Sequence, residues 1–322
     1  MPVMEITPLI GCRVQCSFCP QSLLMNRYQE ENNLEKITFG NPVMMSFSTY
    51  KTCIDKLPSN VDIHFSGYSE PWLHPECTRM LLYAFEKGHR ISVFSTLVGM
   101  TIKDVELFKH VPFKIFNVHL PDSQLYAKIA INKNYLQVLT KLISSDIHNL
   151  TCMTMGDLPP KIQQIIGVKN PRLEMHDRAG NNETGGKTPK KYGPLLCGRA
   201  FKNSVNTLDD NVLLPNGDVC LCCQDYGMDH VIGNLVSSDY SSLFQSKEFQ
   251  NVLDKMSQYD SDIMCRTCNF SIPAKKTIIM KSSIRKKLNT SPRLTRIYGK
   301  LIIKNVPKKN IFLDKSDLGS SY

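Results

Sequence analysis

Cys12, Cys16 and Cys19 lie on one short loop, Gly11-Cys12-Arg13-Val14-Gln15-Cys16-Ser17-Phe18-Cys19-Pro20. A C-x3-C-x2-C run presents three thiolates together. A cubane [4Fe-4S] cluster takes four ligands, so this loop would leave one iron without a protein ligand. An open metal position suits catalysis, whereas a structural site closes its shell. Structural zinc fits the run poorly, because it needs four ligands, usually as separated pairs. The nearest candidates for a fourth, His64 and His74, fall about fifty residues on. A secreted disulfide framework is not expected either, since the first residues lack the charged start, apolar core and cleavage site of a signal peptide.

The chain has 322 residues, enough for one large domain and a smaller one. From Val3 to His176 short β-rich runs alternate with helical stretches, the pattern of βα units around a parallel sheet. Strands are expected at 3–9, 61–66, 91–95, 114–119, 148–153 and 171–176, and helices at 47–56, 76–88, 101–110, 133–145 and 158–166. Six such units fall two short of a closed eight-fold barrel. An incomplete barrel keeps its chemistry on the loops at the C-terminal ends of its strands. The cysteine loop follows the first expected strand, and Glu70 follows the second.

Two motifs at this spacing carry a resemblance. The C-x3-C-x2-C loop with Phe18 before its last cysteine, and Phe65-Ser66-Gly67-Tyr68-Ser69-Glu70-Pro71 after the second strand, resemble the signature segments of the radical S-adenosylmethionine (radical SAM) superfamily. The resemblance implies a partial (β/α)6 TIM-like barrel. It implies that Cys12, Cys16 and Cys19 hold a [4Fe-4S] cluster whose open iron is chelated by SAM, and that reductive cleavage yields a 5′-deoxyadenosyl radical. Phe18 would pack near the adenine, and the Gly67, Ser69 and Glu70 segment would hold the methionyl amino group. Ser69 stands where the family usually has a second glycine. Ser95, Thr96, Asn117, His119 and Arg178 are weaker candidates for SAM contacts, and His119 reads as a satisfied core histidine.

After a Gly-, Pro-, Asn- and Lys-rich segment at 178–196, cysteines return as Cys197, then Gly217-Asp218-Val219-Cys220-Leu221-Cys222-Cys223, then Cys265-Arg266-Thr267-Cys268. Val212 to Val219 reads as a β-hairpin around Asn216-Gly217, a strong turn signal. The pattern resembles the twitch domain, the shortened relative of the SPASM auxiliary-cluster domain. That resemblance implies one auxiliary [4Fe-4S] cluster held by Cys197, Cys222, Cys265 and Cys268. Cys220 and Cys223 would be spare ligands or redox-accessible thiols. A helix around 240–256 belongs to the same resemblance, which spans about residues 3 to 270. The organisation expected is a barrel at 1–180, a cysteine-rich β-hairpin/α auxiliary domain at 181–273 and a basic tail at 274–322.

The twelve cysteines suggest a reducing, cytoplasmic setting in which thiols serve metals. Cys53, Cys77 and Cys152 stand apart and read as small buried hydrophobes. The net charge of +10 is a property of the tail, where thirteen Lys or Arg meet two Asp, leaving 26 basic against 27 acidic residues before it. Such a tail suits a membrane surface, nucleic acid or an acidic partner. No apolar run reaches the length of a transmembrane helix. The function expected is oxidative: dehydrogenation of a sugar or cyclitol alcohol, or modification of a peptide side chain, with an external one-electron reductant. An RNA-modifying radical SAM enzyme and a non-enzymatic zinc-binding adaptor are the alternatives.

Overall fold

The computed structural model describes residues 1–167, 176–182, 186–202 and 205–274. The expected strand at 171–176, apart from His176, and the basic tail beyond Ala274 lie outside the described residues.

The first half runs β1 (Val3–Ile6), β2 (Leu9–Ile10), α1 (Gln21–Glu31), β3 (Val43–Met44), α2 (Phe47–Ile54), β4 (Asp62–Phe65), α3 (Cys77–Glu86), β5 (Ile91–Ser95), α4 (Ile102–Phe108), β6 (Ile115–His119), α5 (Lys133–Ser144), β7 (Leu150–Met153) and α6 (Pro160–Ile166). The second half adds β8 (Leu195–Cys197), β9 (Phe201–Lys202), β10 (Val205–Asn206), β11 (Asp210–Leu213), β12 (Asp218–Cys220), β13 (Val231–Asn234), α7 (Tyr240–Leu243), α8 (Lys247–Ser257) and β14 (Ser271–Pro273). The central sheet has eight strands in the order β13-β12-β11-β1-β4-β5-β6-β7, so among the described residues it stays open rather than closing into a barrel.

Five expected strands form within the ranges read from sequence. Strands β1, β4, β5, β6 and β7 are parallel throughout. The expected strand at 3–9 is split, because Pro8 cannot donate to a ladder; Leu9 and Ile10 instead pair with β3 in a separate antiparallel ribbon. The other edge of β1 carries a pairing with no local signal: β11 lies parallel to it, Val3 opposite Asp210 and Ile6 opposite Leu213. The Asn216-Gly217 hairpin then returns antiparallel through β12 and β13, with Gly217 at φ 91° in the turn. The cysteine-rich region thus extends the barrel sheet instead of resting beside it.

The helices form where an apolar stripe and a cap coincide. Ser46, Thr101, Asn132 and Ser246 each accept a backbone N–H at the start of α2, α4, α5 and α8. The single helix expected at 240–256 is broken by that last cap into α7 and α8. Helix α5 buries Tyr135, Val138, Leu139 and Leu142, the i, i+3, i+4, i+7 face that covers a sheet. Among the described residues no helix is long and apolar enough to cross a membrane.

Candidate active site

The cysteine loop leaves the sheet after β2. Gly11, at φ 105°, makes the exit, and a Cβ there would stand 3.0 Å from the Thr38 carbonyl. Cys12 is buried, while Cys16 and Cys19 are half-buried. The Cys19 N–H donates to the Cys16 carbonyl at 3.1 Å, and the Ser17 N–H to that of Tyr126 at 2.8 Å, so the loop is shaped before any metal arrives. Burial pushes the Cys12 thiol up to about 12, and it raises Cys16 well above the ordinary thiol range with help from the neighbouring sulfurs. The thiols therefore hold their protons until a cation displaces them.

The Glu70 N–H donates to the Cys12 sulfur at 3.5 Å, which joins the two N-terminal motifs directly. Gly67, at φ 46°, lets this segment pass beneath β1, for a Cβ there would be 2.6 Å from the Ile6 carbonyl. The Glu70 carboxylate is fully committed within the protein. Oε1 accepts from the Ser95 hydroxyl at 2.7 Å and the Trp72 N–H at 3.2 Å; Oε2 accepts from the Thr96 N–H at 2.5 Å and the Thr96 hydroxyl at 2.6 Å. Ser95 and Thr96 thus spend their hydroxyls on Glu70. The Ser69 hydroxyl is buried without a partner.

A cavity opens at this point, lined by Phe18, Gly67 and His119, by Glu5 of β1 and His64 of β4, and by Ser66 just past β4. Phe18 stacks on His119, centroids 5.3 Å apart at 21°. His119 is not the satisfied core histidine expected from sequence: it lines the cavity, and its Nε2 is buried without a partner, as are His64 Nε2 and Asn117 Oδ1. Arg178, Arg199, Cys223 and Phe270 also line it. Arg199 donates to Glu5 at 3.0 Å and lies 3.2 Å from Asp210, an ion-pair cluster on β1 and β11 that is almost wholly buried. Ser66 donates to the other Glu5 oxygen at 2.8 Å. Burial raises the Glu5 carboxyl, against the pull of Arg199.

Cys197, Cys222, Cys265 and Cys268 line a second, small cavity, walled by Ala200, Leu208, Leu221, Met256 and Met264. Pairing of β8 with β14 sets Cys197 opposite Ser271, three residues past Cys268. The three adjacent hairpin cysteines separate cleanly. Cys222 faces the four-cysteine cavity, Cys223 faces the larger one, and Cys220 is packed in the core beneath β12. Cys53 and Cys77 are fully buried core residues, as expected, whereas Cys152 is only half-buried. An all-sulfur donor set in a largely apolar chamber matches what a cubane cluster requires.

Sequence reasoning missed Glu5 and Arg199, together with Gln21, Tyr68 and Tyr226 around Cys19, and weighed His64 only as a metal ligand and not as a wall of the cavity. Glu5 and His64 had one usable signal, being polar residues at inward positions of strands otherwise rich in apolar ones.

Comparisons with known proteins agree with this geometry. Residues 207–269 match the SPASM iron-sulfur cluster-binding domain, a range that includes Cys222, Cys265 and Cys268 but begins after Cys197. Among solved structures the chain resembles BtrN in complex with AdoMet and 2-DOIA, at 18% identity over 84% of this chain and 93% of that one, with a TM-score of 0.56. It also resembles Streptococcus suis SuiB bound to the precursor peptide SuiA, at 12% identity over 83% of this chain and 69% of that one, with a TM-score of 0.51. No curated protein matches the sequence. The fold is shared with these solved structures, and residues 207–269 carry a SPASM-type iron-sulfur cluster-binding domain.

Proposed function

We propose that this chain is a radical SAM oxidoreductase that dehydrogenates a small hydroxyl-bearing molecule of the sugar or cyclitol kind. Cys12, Cys16 and Cys19 hold the cluster that binds SAM, and Cys197, Cys222, Cys265 and Cys268 hold an auxiliary cluster. When bound at these residues, the first cluster would supply reductive cleavage of SAM and the second would serve as an electron acceptor, with an external one-electron reductant as partner.

One observation carries this reading: a single cavity joins the Phe18 and Gly67 motif to a polar shelf of Glu5, His64, Ser66 and Arg199. Oxidising a carbinol to a carbonyl removes one hydrogen atom from carbon, one proton from oxygen and one electron. Glu5 is the carboxylate on the cavity wall, and its Oε2, already holding the Ser66 hydroxyl, is placed to take the proton. Arg199 keeps Glu5 oriented. His64, neutral through burial and with Nε2 free, can bind a second hydroxyl. Phe18, Phe94 and Phe270 shield the space from water. The complex of BtrN with AdoMet and 2-DOIA supports a small-molecule substrate; the SuiB complex with a precursor peptide favours the second reading, a peptide side chain.

Anaerobic reconstitution followed by iron, sulfide and zinc counting and a 5′-deoxyadenosine assay tests the proposal. About eight irons per chain, as two cubanes require, with reductant-dependent 5′-deoxyadenosine are expected. Stoichiometric zinc without SAM cleavage would overturn it in favour of a zinc adaptor.

A further inference from the structure

Between the two cysteine sites lies a buried chain of contacts that none of the motifs announces. Tyr226 packs against Tyr68, ring centroids 4.6 Å apart. The Tyr68 hydroxyl lies 2.7 Å from the Cys222 carbonyl, to which it donates, and 3.0 Å from that of Asp225, which fixes the segment from Cys222 to Tyr226. At the other end the Tyr226 hydroxyl lies 3.5 Å from the Cys19 sulfur. Gln21 closes the circuit: its Nε2 donates to the Tyr68 carbonyl and to the Cys19 sulfur, and its Oε1 accepts from the Cys12 N–H. Both tyrosines are buried.

The geometry points to Tyr226 as a positioning residue through which the C-terminal cysteine site sets the reduction potential of the N-terminal one. This rests on the cluster assignment given under Proposed function. In the metal-free chain the Cys19 thiol can donate to the tyrosine oxygen. A metal-bound sulfur has no proton, so the Tyr226 hydroxyl must then become the donor. A hydrogen bond to a cluster sulfur stabilises the reduced, more negative state and raises the potential. Because Tyr226 follows Cys222 by four residues, with its ring held against Tyr68, a change in how Cys222 is held reaches the Cys19 sulfur through the Tyr226 hydroxyl. A thiolate-ligated site whose donor comes from a separate cysteine-rich segment can be poised only when that segment is in place. SAM cleavage is thereby linked to assembly of the auxiliary site.

The test is an EPR-monitored redox titration of the reconstituted holoenzyme. Tyr226→Phe keeps the ring and removes the donor. With iron content unchanged, it should lower the potential of the N-terminal cluster by about a tenfold shift in its reduction equilibrium, or about 59 mV for one electron. A ring-fluorinated tyrosine in place of Tyr226 is a stronger donor and should shift the potential upward, which preserves the test if the phenylalanine variant takes up iron poorly. In the Cys265→Ala and Cys268→Ala double variant the N-terminal potential should shift, and that shift should vanish on a Tyr226→Phe background. Potentials unmoved by either change at Tyr226 would overturn the inference and leave the cluster assignment standing. Failure of Cys12, Cys16 and Cys19 to take up any iron would instead overturn the assignment on which it rests.

Discussion

Replacing Glu70 by Gln changes one atom of a carboxylate that accepts four hydrogen bonds, two on each oxygen. Each oxygen receives one hydroxyl and one backbone N–H: Ser95 and the Trp72 N–H on Oε1, Thr96 and its own N–H on Oε2. A hydroxyl can rotate to accept from the new amide, but a backbone N–H cannot. Whichever way the amide turns, one buried N–H faces another donor, at a cost of about 1–3 kcal/mol. Part of this is offset, because burial penalises the charged carboxylate and raises its protonation point. The expected net loss is about 2 kcal/mol, read as a lower melting temperature of the cluster-loaded protein with its iron content intact. SAM binding, measured by calorimetry, should weaken as well, since the Glu70 N–H and the Gly67 to Ser69 backbone sit beside Cys12. Ser95→Ala separates two routes to that effect. If Glu70 acts by holding the loop, removing the Ser95 hydroxyl weakens SAM binding too; if the carboxylate grips the SAM ammonium directly, freeing a lone pair strengthens it. A Glu70→Gln protein with unchanged melting and unchanged SAM affinity would refute the whole reasoning.

Other consequences are as direct. Replacing Cys12, Cys16 and Cys19 together by Ala should abolish 5′-deoxyadenosine formation, checked by chromatography of the reaction mixture. Converting Cys265 and Cys268 to Ala should remove about four irons while the N-terminal cluster remains by EPR, with product formation falling much further than SAM cleavage. Gly67→Ala should disrupt the SAM segment, because its Cβ would press on Thr7 Oγ1 and the Ile6 carbonyl at a φ of 46°; a SAM affinity equal to wild type would count against that placement. Burial pushes His64 and His119 down to about 4 from 6.5. Their folded values lie below the unfolded ones, so the stability they contribute is present above pH 6.5 and is lost as pH falls through 4. Wild type should therefore lose up to roughly 3 kcal/mol per histidine more than a His64→Gln, His119→Gln variant between pH 7 and 4, measured by thermal melts.

What the sequence disclosed follows from where its information is stored. Cysteine spacing is local: C-x3-C-x2-C needs only one loop, and Cys265 and Cys268 need only one turn, so both sets could be read without a structure. The parallel strands were legible for the same reason, each being a short β-rich run before an amphipathic helix. Helix α1 was passed over although Leu24, Met25 and Tyr28 do fall at helical spacing, because the stripe begins at Gln21, whose burial serves Cys12, Cys19 and Tyr68 instead of an apolar core. The pairing of β11 with β1 joins residues more than two hundred apart. Nothing in either strand's own pattern specifies the partner.

That one unread pairing accounts for most of what the sequence left hidden. Setting β11 against β1 brings Asp210 and Arg199 to Glu5, which turns an inward-facing acid into one corner of a buried charge cluster. It also adds the hairpin to the edge of the sheet, past which Cys222 and Cys223 line different cavities although they are neighbours in the chain. A sequence can show that cysteines at 220, 222 and 223 are candidate ligands. Only the register of the hairpin decides among them, because successive side chains leave a strand and its turn in different directions. The same placement drops Tyr226 onto Cys19. In this chain the chemistry is written in local motifs, while the coupling between motifs is written in the sheet order.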